Sequence, residues 1–588
     1  METVKLSNAV WFSKYCRRTD GGIAEDNIGQ SLRRVARAVA EVEQQPGAWL
    51  GRFESLLDNF QFLPGGRILA GAGSDKRVTL FNCFVAGRLQ DSIQGILQGL
   101  KETAITMQQG GGVGIDFSPL RPAGSATVRT GSAASGPVSF MHMWDTLCST
   151  LLSTTARRGA MMGTLACDHP DIESFVSAKT TTGALSNFNV SVLISDRFMA
   201  AVQNDDPWPL VFPSRIVNNR PDTDAEPRVA REIGARQLWR TIATTAHASA
   251  EPGVLFIDTI NRNNNLRYCE SISATNPCGE IPLPPYGACN LGSINLTAFV
   301  KDPFGEHRRL DLDRLRDITS VAVRFLDNII DASRFPLRQQ AEQAQQTRRI
   351  GLGITGLADA LAMLGLRYSG EDGRKLASSA LLNIRDAAYE TSAELAREKG
   401  AFPCLDTGPY LESPFIQQIP ESIRVAIAKN GIRNSHLLSI APAGTISLLA
   451  GNVSSGIEPI FALDATRTIR DADGKLQEHP VRDYAYQLWR QQNDPTQEPP
   501  DTFEIAASIS ASAHLAMQSR LQPCVDNAIS KTITLAPEAT VNDVETIYAD
   551  AYASGVKGCT VFRPGATVGQ VLRARADTHC CNLDREAD

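Results

Sequence analysis

The segment Asn276-Pro277-Cys278-Gly279-Glu280 puts an amide, a thiol and a carboxylate within five residues. Pro277 and Gly279 break helical geometry, so the three polar groups fall on a turn or loop that can aim them at one small ligand. An incidental cysteine on a surface turn is the competing reading from these residues alone. Cys289-Asn290-Leu291-Gly292-Ser293 follows shortly after. Cys580 and Cys581 are adjacent in a polar terminal stretch where burial is a poor explanation, which makes them candidates for thiol exchange. Small residues also open a predicted helix at Ala441-Pro442-Ala443-Gly444-Thr445-Ile446-Ser447, after the apolar run Leu437 to Ile440. Exposed amides there, with the hydroxyls of Thr445 and Ser447, can receive phosphate, although an ordinary capped helix start has the same composition.

These residues need a large scaffold, and 588 residues with 43% hydrophobic and 21% charged composition can supply one. Apolar spacing predicts a small helical region between Ile28 and Leu63. Beyond Phe81, short apolar segments alternate with the helical stretches Ile93 to Met107, Val138 to Leu152, Leu238 to Ala248 and Leu315 to Ala332, an α/β rhythm. Asn218 to Pro227 and Gln491 to Pro500 read as loops, and the segment after Pro564 as a mobile tail.

A net charge of −6 and no sustained basic run argue against a nucleic-acid polymer or a membrane surface as partner. The absence of a long apolar run and of a signal-peptide pattern predicts a cytoplasmic protein, whose twelve cysteines are mostly reduced. No C-x-x-C occurs, so protein side chains are expected to hold no structural metal. Gly351-Leu352-Gly353-Ile354-Thr355-Gly356 satisfies G-x-G-x-x-G, but Gln339 to Arg349 is polar rather than an apolar strand. Those glycines are expected instead to let a helix pack closely on its neighbours.

The cysteine loop and several further segments resemble the large subunits of ribonucleotide reductases across nearly the whole chain. The matching stretches are Phe62 to Gly73, Gly110 to Pro122, Ser135 to Met141, Ala156 to Gly163, Asp168 to Ile172, Asn187 to Val192, Arg349 to Ala358 and Gly558 to Gly565. The resemblance implies that Cys278 becomes a transient thiyl radical that abstracts the ribose 3′ hydrogen. Glu280 would take the 3′-hydroxyl proton and Asn276 would hold the ribose. It pairs Cys83 with Cys289 as the source of two electrons, leaving a disulfide that Cys580 and Cys581 would reduce by exchange with thioredoxin or glutaredoxin. Many relatives carry C-x-x-C there, so the adjacent pair is a departure. Asn82, Gly111, Pro277, Gly279 and the Ala443 to Ser447 turn, including Gly444, Thr445 and Ile446, match substrate-binding positions. Asp91, Arg121, Arg157 and Arg158 match positions near a deoxynucleotide or ATP effector.

Three radical sources occur in such proteins. None of the ten tyrosines adjoins another, which disfavours a relay from a separate metal subunit, and no Arg-Gly-aromatic glycyl-radical site follows Cys559. The remaining source is adenosylcobalamin (coenzyme B12). A D-x-H-x-x-G signature is absent, but that motif marks proteins whose histidine replaces the cofactor's lower base. The implied fold is a ten-stranded α/β barrel with a central finger loop. The implied division is a helical region at 1–75, the barrel at 76–565 and a redox tail at 566–588, without an ATP-cone module. A homodimer is expected. A subunit dependent on a metal-radical partner and a non-catalytic nucleotide-binding homologue are the alternatives.

Overall fold

The computed structural model describes residues 2–19, 22–125, 133–151, 160–181, 183–213, 228–470, 476–566 and 572–574. Three helices open the chain: α1 (Glu2–Lys14), α2 (Ile28–Ala40) and α3 (Pro46–Leu57). Asn27 caps α2 by accepting from the Gln30 amide, and Val35, Ala36 and Val39 form its buried stripe. Pro46 stands in the first turn of α3, where its missing N–H costs nothing.

The four later helical stretches all form, as α4 (Ile93–Gln108), α5 (Pro137–Thr150), α6 (Ala235–Ser249) and α7 (Leu312–Ala332). Helix α7 binds the N-terminal helices to the rest: Phe53 of α3 meets Phe325 edge-on with ring centroids 5.4 Å apart. Beside it, Arg324 pairs with Glu43, and Glu43 also accepts from Asn328 and from Lys399 at the end of α8 (Glu371–Lys399).

A ten-stranded sheet fills the centre of the larger region. Its strands are β1 (Phe62–Pro64), β2 (Cys83–Val85), β3 (Gly112–Asp116), β4 (Met161–Ala166), β5 (Phe188–Ile194), β6 (Gly253–Phe256), β7 (Ala288–Asn295), β8 (Ile350–Thr355), β9 (Thr532–Thr534) and β10 (Gly558–Phe562). The order is β8-β7-β2-β3-β4-β5-β6-β10-β9, with β1 also on β7. Strands β2 to β6 run parallel. The joins of β7 to β2 and of β10 to β6 are antiparallel, so the sheet consists of two opposed parallel groups. Single bridges from Leu438 to Leu352 and from Ile440 to Ile529 link β8 to the residues just before β9. Strands such as β4 are buried at every position, so they read as apolar runs without alternation.

One expectation is corrected. The glycines at 351–356 lie on β8 and its end, not in a helix: a Cβ on Gly353 would come within 2.4 Å of the Ser439 carbonyl oxygen, so glycine admits the neighbouring segment. Leu572–Ala574 pairs antiparallel with Asp464–Arg470, itself hairpinned to Leu476–Arg482. Among the described residues no helix is long and apolar enough to cross a membrane.

Candidate active site

Residues 274–283 form a finger bounded by the paired strands Ala274–Thr275 and Pro282–Leu283. Gly279 closes its tip at φ +84, a conformation glycine adopts without a Cβ penalty. Strands of the parallel group and two segments outside the sheet hold this finger. From β3, Gly114 lies so close that a Cβ there would sit 1.8 Å from the Thr275 carbonyl oxygen. Thr164 of β4 donates to the Ser273 carbonyl at 3.1 Å, and Asn189 of β5 donates to the Pro277 carbonyl at 2.8 Å. From the other side, the Glu280 carbonyl accepts from the Ala528 amide at 2.9 Å and the Ser439 hydroxyl at 3.0 Å.

The functional side chains converge under the finger. The Asn276 amide donates to Cys83 Sγ at 3.1 Å while its Oδ1 accepts from the Ile281 N–H at 2.9 Å. Cys83 Sγ in turn reaches Glu280 Oε1 at 3.8 Å. Cys83 and Cys289 are direct partners across the antiparallel join of β2 and β7. Opposed antiparallel residues have Cα atoms about 4.5–5.5 Å apart, inside the disulfide range. Both are free thiols, fully buried, whereas Cys278 is partly exposed.

Burial pushes the Cys83 thiol well up, and the negative potentials of Glu280, Cys289 and Cys278 add to it. Burial likewise raises Cys289 against the opposing effect of Arg349. Both sulfurs therefore carry protons at neutral pH and can give up hydrogen.

Cys278 lines a cavity of about 310 Å³ together with Pro277, Gly279, Pro442, Gly444 and Ser447. Val453, Pro459, Phe461, Val481 and Phe562 add apolar surface to the same cavity. Gly444 and Ser447 belong to α9 (Gly444–Leu449), which α1 braces through a Ser7 hydroxyl bond to the Leu449 carbonyl. The Ser447 hydroxyl donates to the Gly444 carbonyl at 2.8 Å. Asn82, Gly111, Ala443, Thr445 and Ile446 do not contribute to the cavity wall. Asp91 and Arg121 stand apart on the surface as an ion pair of 2.7 Å beside the start of α4. Arg157, Arg158, Cys580 and Cys581 lie outside the described residues.

Sequence reasoning missed Asn189, although it lies in a quoted matching stretch, and missed the cavity-lining ion pair of Lys531 with Glu458. His514 also bonds Lys531 Nζ, at 2.9 Å. Burial, then the Lys531 charge, depresses the His514 ring to about 3, so it is neutral. No local spacing signals that cluster, whose members come from separate segments.

Fold and site define an α/β protein whose finger carries a partly exposed thiol to a cavity and whose sheet holds two buried thiols opposite each other on adjoining strands. The family model described as ribonucleotide reductase, barrel domain, matches residues 81–562, and the one described as ribonucleotide reductase, all-alpha domain, matches residues 2–77. The chain belongs to the ribonucleotide reductase family. It is 39% identical to a vitamin B12-dependent ribonucleoside-diphosphate reductase of Mycobacterium tuberculosis, over 97% of this chain and 80% of the relative. A protein of the same description from Thermoplasma acidophilum is 36% identical, over 95% of this chain and 71% of the relative. A vitamin B12-dependent ribonucleotide reductase of Streptomyces coelicolor is 30% identical over 84% of this chain, which spans 57% of that relative.

Proposed function

We propose that this chain is the catalytic subunit of a coenzyme-B12-dependent ribonucleotide reductase, reducing ribonucleotides to 2′-deoxyribonucleotides for DNA synthesis and repair. The observation that carries the reading is the finger that brings Cys278 to the cavity and, through Asn276 and Glu280, contacts Cys83 opposite Cys289. The names of the two relatives of highest quoted identity favour ribonucleoside diphosphates over triphosphates as substrate.

Cys278, as a thiyl radical, takes the 3′ hydrogen, and Glu280 accepts the 3′-hydroxyl proton. Asn276 orients the ribose with the amide that, without substrate, bonds Cys83. The 2′ oxygen leaves as water, two electrons pass from Cys83 and Cys289 as their disulfide forms, and Cys278 returns the hydrogen to C3′. Gly444 and Ser447, which line the cavity, receive the substrate's phosphates in this reading. The Cys580 and Cys581 dithiol then restores the pair by exchange, with thioredoxin or glutaredoxin as terminal reductant.

Val453, Pro459 and Phe461, with Ser454 and Ser455, line the same cavity as Cys278 and would hold the cofactor through apolar contact and hydroxyl hydrogen bonds. When bound, adenosylcobalamin supplies the initiating radical through its weak cobalt–carbon bond. Four further readings accompany this one. The division at 1–75, 76–565 and 566–588 is kept, as is a cytoplasmic location. The exposed side chains of Ile93 and Leu97 on α4 and Met143 on α5 support a homodimer. Asp91 and Arg121, beside α4, remain the proposed effector contacts, with Arg157 and Arg158.

The test is reduction of CDP and CTP by the purified chain with a dithiol, with and without adenosylcobalamin. Turnover that needs the cofactor and no second chain supports the reading; strict dependence on another subunit overturns it.

A further inference from the structure

Ten cysteines lie among the described residues, all as free thiols, and two of them meet outside the catalytic centre. Cys269 is exposed, Cys404 is half-buried, and their thiols share a hydrogen bond. Tyr268 fastens the two loops that carry them: its hydroxyl donates to the Cys404 carbonyl at 3.0 Å and accepts from the Asp406 amide at 3.1 Å. The Cys404 amide is held by the Gln346 carbonyl and the Cys269 amide by the Leu266 carbonyl. Next to Cys269, Glu270 is paired with the buried Arg349. Both backbones are thus anchored on neighbouring loops that Tyr268 holds together, with the two thiols acting on each other.

We propose that Cys269 and Cys404 form a second redox-active dithiol, separate from Cys83 and Cys289, which closes to a disulfide on meeting a hydroperoxide or a low-molecular-weight disulfide. With hydrogen peroxide, the two thiols lose two electrons and two protons, the O–O bond breaks and two waters form. With a small disulfide, its S–S bond breaks and two small thiols leave as the protein disulfide forms. The chain runs from Cys269 directly into Ala274–Thr275 and the finger, so the bond ties the finger's root to the loop around Cys404. Arg349 acts electrostatically on Cys269, Cys404 and Cys289, so one guanidinium influences both thiol pairs.

The full chain, reduced and freed of dithiol, is treated with hydrogen peroxide or oxidised glutathione, alkylated, digested without reduction and read by mass spectrometry. The expected product is a peptide joining Cys269 to Cys404, lighter by the two lost hydrogens and reversed by dithiothreitol. It persists when Cys580→Ser and Cys581→Ser remove the terminal thiols. Cys269→Ser and Cys404→Ser each abolish it while leaving ribonucleotide turnover within about twofold, as for substitutions away from a site. Should either variant fold poorly, alkylation of the unsubstituted chain decides. Full labelling of both thiols after oxidant, or oxidation confined to Cys83 and Cys289, overturns the proposal.

Discussion

Cys83 and Cys289 stand directly opposite each other on antiparallel strands, with the Asn276 amide and Glu280 Oε1 both on the Cys83 sulfur. A disulfide between them therefore closes without moving the sheet. One turnover without added dithiol, in a chain carrying Cys580→Ser and Cys581→Ser, should leave a peptide linking Cys83 to Cys289 and stop near one product per site. Quantitative mass spectrometry of alkylated digests checks this, and turnover with both thiols still alkylatable would count against the pair.

Glu280→Gln keeps the side chain's size and removes its basicity. The kcat should fall about 10²–10⁴-fold, the usual worth of a positioned general base, with substrate binding little changed. Steady-state assays with equilibrium binding of the nucleotide separate the two effects.

Asn189→Ala removes the side-chain donor on the Pro277 carbonyl, next to the reactive sulfur. A misplaced Cys278 should cost up to about 100-fold in kcat, since small errors of position weigh heavily on reaction. The thermal midpoint should drop only modestly, as one lost hydrogen bond is worth about 1 kcal/mol. Asn189→Gln should not restore activity, because its longer arm cannot keep the same distance.

Gly114→Ala places a methyl group where the Thr275 carbonyl oxygen already lies. Backbone, rather than a flexible side chain, must yield, so the finger shifts and stability falls by about 1–3 kcal/mol with loss of turnover. Calorimetry paired with an activity assay reads both.

Glu43 joins the N-terminal helices to α7. Burial raises its carboxyl, but hydrogen bonds from Arg324, Lys399 and Asn328 outweigh this and hold it at about 2. Because the folded value lies below the unfolded one, near 4.5, the stabilisation is full above that pH and drains away as pH falls towards 2. Glu43→Gln should cost about 1.5–3 kcal/mol at neutral pH by removing a charged acceptor from Arg324 and Lys399, with Arg324 keeping its pair with Glu398, and its deficit against the unsubstituted chain should narrow in acid. Thermal melts at neutral pH and near pH 3 measure that difference.

Much of the site was legible in the linear chain because its chemistry is local. Asn276, Cys278 and Glu280 fall within five residues, and Pro277 with Gly279 dictates a loop whatever surrounds it. The helices α4 to α7 were equally readable, since an amphipathic stripe repeats within each one. Spacing failed on β8, whose glycines serve a close approach by a segment distant in sequence.

By itself, then, the sequence determined the reactive groups, the loop that carries them and the family's ordered motifs. Only the tertiary structure decided that Cys83 faces Cys289, that Asn189, Ser439 and Ala528 grip the finger, and that Cys269 meets Cys404. Those relations depend on strand register and loop packing, which follow from burial summed over the whole sheet rather than from any short run of residues.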